Sequence, residues 1–373
     1  MANLAQAIAQ IGPLDERAMA AARARQDNLT KPKGSLGRLE EIAIKVAGIR
    51  GQAMPSLEHK AIVTMAADHG VTAQGVSLYP REVTPQMVQN FLRGGAAINV
   101  LARQVGARVV VVDMGVASDL EPHPGLISKK VAYGTCDMML GAAMSQAQAQ
   151  AAVEAGLEVL EQETGKGLDI VGLGDMGIGN TTPSSAITAA ITGQPVIKVT
   201  GRGTGIGNRQ LAHKVHVIEQ ALKVNRPHAK DALDVLAKVG GFEIGGLAGV
   251  MLGAAAHRIP VIIDGFVSGA AALIATRMAP QLSHYLISGH VSAERGHRVA
   301  LKHLGLKPVL DLDMRLGEGT GAVLAMFIVE AAVKALTQMA TFSEAGVSTA
   351  EDREGMTIKR GKACYGAPGA GRR

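Results

Sequence analysis

The sequence predicts an α/β fold, a Rossmann-like parallel sheet with helices on both faces, plus a small helical subdomain from both chain ends. Three observations predict it. Apolar runs recur that end in an acid beside glycine: AIVTMAADHG (61–70), VVVVDMG (109–115), DIVGLGDMG (169–177), VIIDG (261–265) and VLDLDMRLGEG (309–319). Helically spaced stretches separate these runs, the pattern of a parallel sheet covered on both sides. Further helical segments lie outside that alternation, at the two ends of the chain.

Taken in order, residues 1–50 read as helical. Leu14 to Gln26 is rich in Ala and Arg, and Ser35 is placed to cap a helix through LGRLEEIAIKVAGIR. The runs at 61–70 and 109–115 are short and dense in Val and Ile, as buried strands are. Thr84 to Gln104 between them is helical, interrupted at Gly94-Gly95. Helical spacing returns at Ser145–Glu163, Arg209–Val224, Lys230–Val239 and Ser292–Leu304, and 318–341 reads as a long helix with an apolar face. The expected division is 1–55 with 318–350 as helical subdomain, 56–317 as α/β domain, and 351–373 as a basic, flexible tail.

Composition narrows the function. The chain has 373 residues, enough for a large core, and 46 of them are Gly, concentrated at strand ends rather than in one low-complexity block. No Trp, four Tyr and five Phe leave no stacking platform for bases, which argues against nucleic acid as a partner. The net charge of +6 misleads in this respect. Half of that surplus sits in 350–373, where six basic residues face three acids. Cys136 and Cys364 lie too far apart for a metal motif and suit a reducing, cytoplasmic setting. The N-terminus lacks the basic start and apolar core of a secretory signal, and Met176–Ile197 is too polar to span a membrane.

The chemistry concentrates at strand ends. In open α/β sheets ligands bind beyond the carboxyl ends of the strands. Asp68, Asp113, Asp175, Asp264 and Glu318 are expected to converge there. Met176 to Ile218 contains no acid, yet holds GIGNTT (177–182), GRGTGIGNR (201–209), Lys198, Arg202, Arg209 and Lys214. Glycine loops that open helices present backbone amides to anions, and Thr181, Thr182 and Thr204 add hydroxyls. Two such loops in one acid-free segment favour phosphate binding over simple tight turns. Gly172, Gly174 and Gly177 also spell a dinucleotide fingerprint, but the ribose-binding acid expected about 20 residues later is missing. A dehydrogenase is therefore the rival reading. Glu318, between two glycines at a helix start, suits a general base, or simply complements the helix dipole. Asp68-His69, His213 with His216, and His290, His297 and His303 show no metal-ligand spacing, so no metal is expected.

Several stretches together resemble the nicotinate-nucleotide–dimethylbenzimidazole phosphoribosyltransferase family. They are KPKGSLGRLE (31–40), AADHGV (66–71), VTPQMVQNFLRGGAAINVLAR (83–103), GDMGIGNTT (174–182), GRGTG (201–205), IDGFVSGAAALIA (263–275), SAERGH (292–297) and LDLDMRLGEGTGAVLAM (310–326). The resemblance implies transfer of the 5-phosphoribosyl group from nicotinate mononucleotide to 5,6-dimethylbenzimidazole, with release of nicotinate and inversion at C1′. It places the catalytic glutamate on Glu318 and a second acid on Asp175, where relatives often carry glutamate. Phosphate and nucleotide would be held by Gly177, Gly179, Asn180, Thr181, Thr182, Gly203, Thr204 and Lys214. The benzimidazole would lie against Gln86, Met176 and Leu316. No cofactor is implied, because the glycosidic nitrogen of the donor is already cationic and no pyrophosphate leaves. A homodimer with no membrane attachment is expected.

Overall fold

The computed structural model describes residues 3–348, so the basic tail 351–373, the end of the 318–350 segment and Cys364 lie outside the described residues. Seven strands form one sheet: β1 (Lys60–Ala67), β2 (Arg108–Gly115), β3 (Leu126–Ser128), β4 (Ile170–Met176), β5 (Val261–Ile263), β6 (Leu286–His290) and β7 (Pro308–Leu310). Their order is β3-β2-β1-β4-β5-β6-β7, and every neighbouring pair is parallel. From β1 the chain runs outward to β3, then returns to the far side of β1 to place β4. That reversal opens a crevice between the ends of β1 and β4, the usual ligand position in such sheets.

The strand alternation divides the core into two layers. Ala61, Val63, Met65 and Ala67 of β1 face one apolar cluster with Val112 and Leu173, while Ile62 and Ala66 face the other with Val111 and Ile170. Period-two side chains sort themselves this way only in a strand buried on both faces. The first layer is closed by Phe242–Ala256 and Gln146–Thr164, whose backbones nearly touch. A Cβ on Gly156 would stand 1.9 Å from the Gly246 carbonyl oxygen. The second layer contains Arg38–Arg50, Val83–Leu92, Ala97–Val105 and Thr320–Gln338.

Helices from the two chain ends meet. Arg25 donates to the carbonyls of Leu336 and Met339, and Leu29 bridges Thr341. Thr320–Gln338 is long and apolar enough to cross a membrane by composition, yet Ala322, Ala325, Met326 and Val329 are wholly buried against the sheet layer. It is a core helix.

Some local expectations are corrected. Ser35 caps nothing: Gly34 and Gly37 take left-handed backbone (φ 75° and 53°), which ends the turn and delays the helix to Arg38. The Leu36 amide instead donates to Glu40 Oε1, which also pairs with Lys31 at 2.7 Å. The 84–104 helix is two helices, Val83–Leu92 and Ala97–Val105, divided at the expected glycines.

Candidate active site

A cavity of about 550 Å³ opens at the β1/β4 crevice. Its walls come from the segment after β1 (Ser77, Tyr79, Val83, Met87), the end of β4 and its following loop (Asp175 to Thr181), the 201–205 loop, and Arg315 to Glu318.

Glu318 is fixed from four directions. Its backbone is left-handed (φ 63°), between Gly317 and Gly319 that are also left-handed. Such a conformation is strained for a residue with a Cβ and persists only where neighbours impose it. Here the Glu318 amide donates to the Asp175 carbonyl at 3.2 Å, and its carbonyl accepts from Thr64 Oγ1 at 2.9 Å. The buried Asp264 carboxylate accepts the amides of Gly319, Gly321 and Ala322, which caps the helix that follows. Glu318 Oε2 accepts the Ile98 amide at 3.2 Å, in the first turn of Ala97–Val105. Burial raises the Glu318 carboxyl above its ordinary value and the Ile98 amide pulls it back. A carboxylate held partly dry at a helix start is the result.

Asp175 closes β4 and accepts Asn180 Nδ2 at 2.8 Å. Burial, with the negative charges of Glu243 and Glu318, pushes it up to about 7 against the Asn180 bond and His69. Behind it, His69 Nε2 and Glu243 Oε1 lie 2.9 Å apart, both fully buried.

A corner of positive charge and helix-start amides forms where the 177–182 loop enters Thr181–Thr192. Lys214 is buried, and its Nζ donates to Thr181 Oγ1 at 2.6 Å. Burial pulls Lys214 down to about 8, and the negative charge of Glu294 raises it. The GRGTG loop lies over this corner: a Cβ on Gly203 would stand 3.4 Å from Lys214 Nζ and 2.9 Å from Thr181 Oγ1. Arg315 Nη1 donates to the Gly203 carbonyl at 2.8 Å, and the Leu78 amide donates to Thr204 Oγ1 at 3.3 Å.

Of the expected site residues, Glu318, Asp175, Gly177, Gly179, Asn180, Thr181, Gly203, Thr204, Lys214, Met176 and Leu316 line one cavity. Two are not brought to it. Gln86 is exposed on Val83–Leu92, one turn beyond Val83, and is not part of the lining to which Val83 and Met87 contribute. Thr182 is wholly buried behind Thr181. The Gly203 amide donates to Glu294 Oε1 at 2.8 Å rather than facing the cavity free. Glu294 and Arg315 also line the cavity, and neither carries a signal of its own in the sequence, although both lie in stretches quoted for the family resemblance.

Three of the five strand-end acids also serve the backbone instead of the cavity. Asp113 accepts the amides of Gly115 and Val116 and pairs with Lys130, and Asp68 accepts the Ala117 amide. Asp264 caps the last long helix, as above. The dinucleotide fingerprint fails on geometry: Gly172 and Gly174 lie within β4, not in a turn that opens a helix. They are glycines because Ile62 and the Glu318 carbonyl crowd their faces.

Against known proteins, a phosphoribosyltransferase family profile matches residues 11–347. The chain is 62% identical over 348 residues to a nicotinate-nucleotide–dimethylbenzimidazole phosphoribosyltransferase of Chloroflexus aggregans, covering 93% of this chain and 99% of the relative. The chain belongs to that family. A relative of the same description from Desulforudis audaxviator is 63% identical over 349 residues, 94% of this chain and 99% of its own. The crystal structure of the phosphoribosyltransferase of that description from Thermus thermophilus superposes with a TM-score of 0.86 at 47% identity, covering 90% of this chain and all of the other. The likeness therefore extends over nearly the whole fold.

Proposed function

We propose that the protein transfers the 5-phosphoribosyl group of nicotinate mononucleotide to 5,6-dimethylbenzimidazole, giving α-ribazole 5′-phosphate and nicotinate. One observation supports this above the rest. A cavity at the switch point is lined both by a strained, amide-anchored glutamate and by a buried lysine on a helix-opening threonine. That combination suits a ribose 5-phosphate whose phosphate meets Lys214 and whose anomeric carbon faces Glu318.

In this reading Lys214, Thr181 and the first amides of Thr181–Thr192 bind the 5′-phosphate. The benzimidazole lies among Met176, Leu316, Val83 and Met87. One of its nitrogens attacks C1′ as the bond from C1′ to the pyridinium nitrogen breaks. That electron pair stays with nicotinate, and Glu318 accepts the proton from the other benzimidazole nitrogen. Asp175, backed by Asn180, stands by the positive charge that develops at the anomeric centre. Residues 1–55 with 318–350 as a helical subdomain, a homodimer and a cytoplasmic location belong to the same reading. Chain-end packing supports the first, and family resemblance supports the second.

The test is chromatography of nicotinate mononucleotide, 5,6-dimethylbenzimidazole and purified protein, with no metal added. Equal amounts of nicotinate and α-ribazole phosphate are expected. Free ribose phosphate without the coupled product would contradict the assignment.

A further inference from the structure

Glu294 brings a carboxylate into a corner built from an acid-free stretch of sequence. It follows β6, and its Oε1 accepts the Gly203 amide at 2.8 Å. Its Oε2 is buried without a hydrogen-bond partner among the described residues, and the residue is only 5% exposed. Gly201 admits it: a Cβ there would stand 1.9 Å from Oε2. Lys214 is equally enclosed and has no ion-pair partner within 4 Å among the described residues. A carboxylate with one donor and an ammonium with no contacting anion thus share a wall of the cavity.

We propose that Glu294 is a built-in counter-anion of this corner, which holds the Gly203 amide and opposes the charge of a bound phosphomonoester so that the phosphorylated product leaves. The proposal rests on the phosphoribosyl-transfer reading. Phosphate on C5′ is the same group in donor and product and takes no part in the bond change at C1′. Affinity for it alone therefore does not lower the barrier to transfer and slows release. With a helix start, a buried ammonium and hydroxyls converging, an unopposed corner would hold phosphate tightly. A desolvated carboxylate at the same wall acts in the opposite sense.

Glu294→Gln isolates the charge, because the amide oxygen still accepts from Gly203. Calorimetry should compare wild type and E294Q with orthophosphate, nicotinate mononucleotide and nicotinate riboside, which lacks the phosphate. At pH 6.5, well below the value of about 8 at which Lys214 gives up its proton, E294Q is expected to bind the first two roughly ten-fold or more tightly. The riboside should change by less than about two-fold, and KM and kcat should fall together. Unchanged or weaker mononucleotide binding in E294Q overturns the proposal, and weaker riboside binding reassigns Glu294 to the ribose hydroxyls. Failure of wild type to bind the mononucleotide overturns the underlying reading instead. Should E294Q not fold, wild-type crystals soaked in orthophosphate decide: phosphate beside Lys214 with Glu294 still on Gly203 supports the proposal, and phosphate elsewhere overturns it.

Discussion

The Glu318 amide donates to the Asp175 carbonyl at 3.2 Å, so the two cavity acids are tied through their backbones. Their relative position is set by β4 and by the loop that precedes the last long helix, not by flexible side chains. Gly174 makes that approach possible. A Cβ at this position would stand 2.2 Å from the Glu318 carbonyl oxygen, a backbone atom that cannot yield without moving the loop.

Gly174→Ala is therefore expected to move the acid it crowds. Overpacking of this kind destabilises by about 1–3 kcal/mol. Turnover should fall much further than nucleotide affinity, because Lys214 and Thr181 stand on other elements, Asn208–Asn225 and Thr181–Thr192. Thermal melts and steady-state kinetics check both parts, and a variant with full kcat would contradict the crowding argument.

Lys214→Met should leave the nucleotide without its buried cation. Loss of a charge-assisted hydrogen bond is worth about 1.5–3 kcal/mol, or roughly 10- to 150-fold in affinity for the phosphate donor. With Lys214 held down to about 8 by burial, the wild-type cavity loses that charge as pH rises through 8. The KM for nicotinate mononucleotide should therefore climb between pH 7.5 and 9 in wild type. In the Met variant it should be high and nearly flat.

Asp175 carries a testable stability signature. Its carboxyl is pushed up to about 7, above the ordinary aspartate value of 3.8, chiefly by burial. An unfolded chain ionises this group near pH 4, whereas the folded chain keeps the proton until about pH 7. The unfolded state thus binds fewer protons over that window, and this group's contribution falls as pH rises through it. Relative to Asp175→Asn, wild type should lose about 2–4 kcal/mol between pH 4 and 7.5. Urea titrations at several pH values measure this, and parallel curves for the two proteins would count against it.

Much of this architecture is legible in the sequence because β1, β2 and β4 carry long, β-branched runs that no other element explains. β6 is not, since LISGH is short and lies next to a histidine-rich helix. Phe242–Ala256 and Phe266–Met278 are apolar all round, so they show no amphipathic period to read. Lys214, Thr181 and Glu318 could be named from loop chemistry and family motifs. Glu294 reaches the GRGTG loop from 91 residues away, a contact that only the order of strands creates. Asp68, Asp113 and Asp264 show the converse: a strand-end acid is as readily an acceptor for its neighbours' amides as a group that faces the ligand.

The central assignment is Glu318 as the proton acceptor, and the single-turnover rate of Glu318→Gln tests it most directly. With both substrates saturating, α-ribazole phosphate formation should slow by roughly 10²–10⁴-fold while both substrates bind within a few-fold of wild type. A variant that binds both and turns over at nearly the wild-type rate would show that the base lies elsewhere.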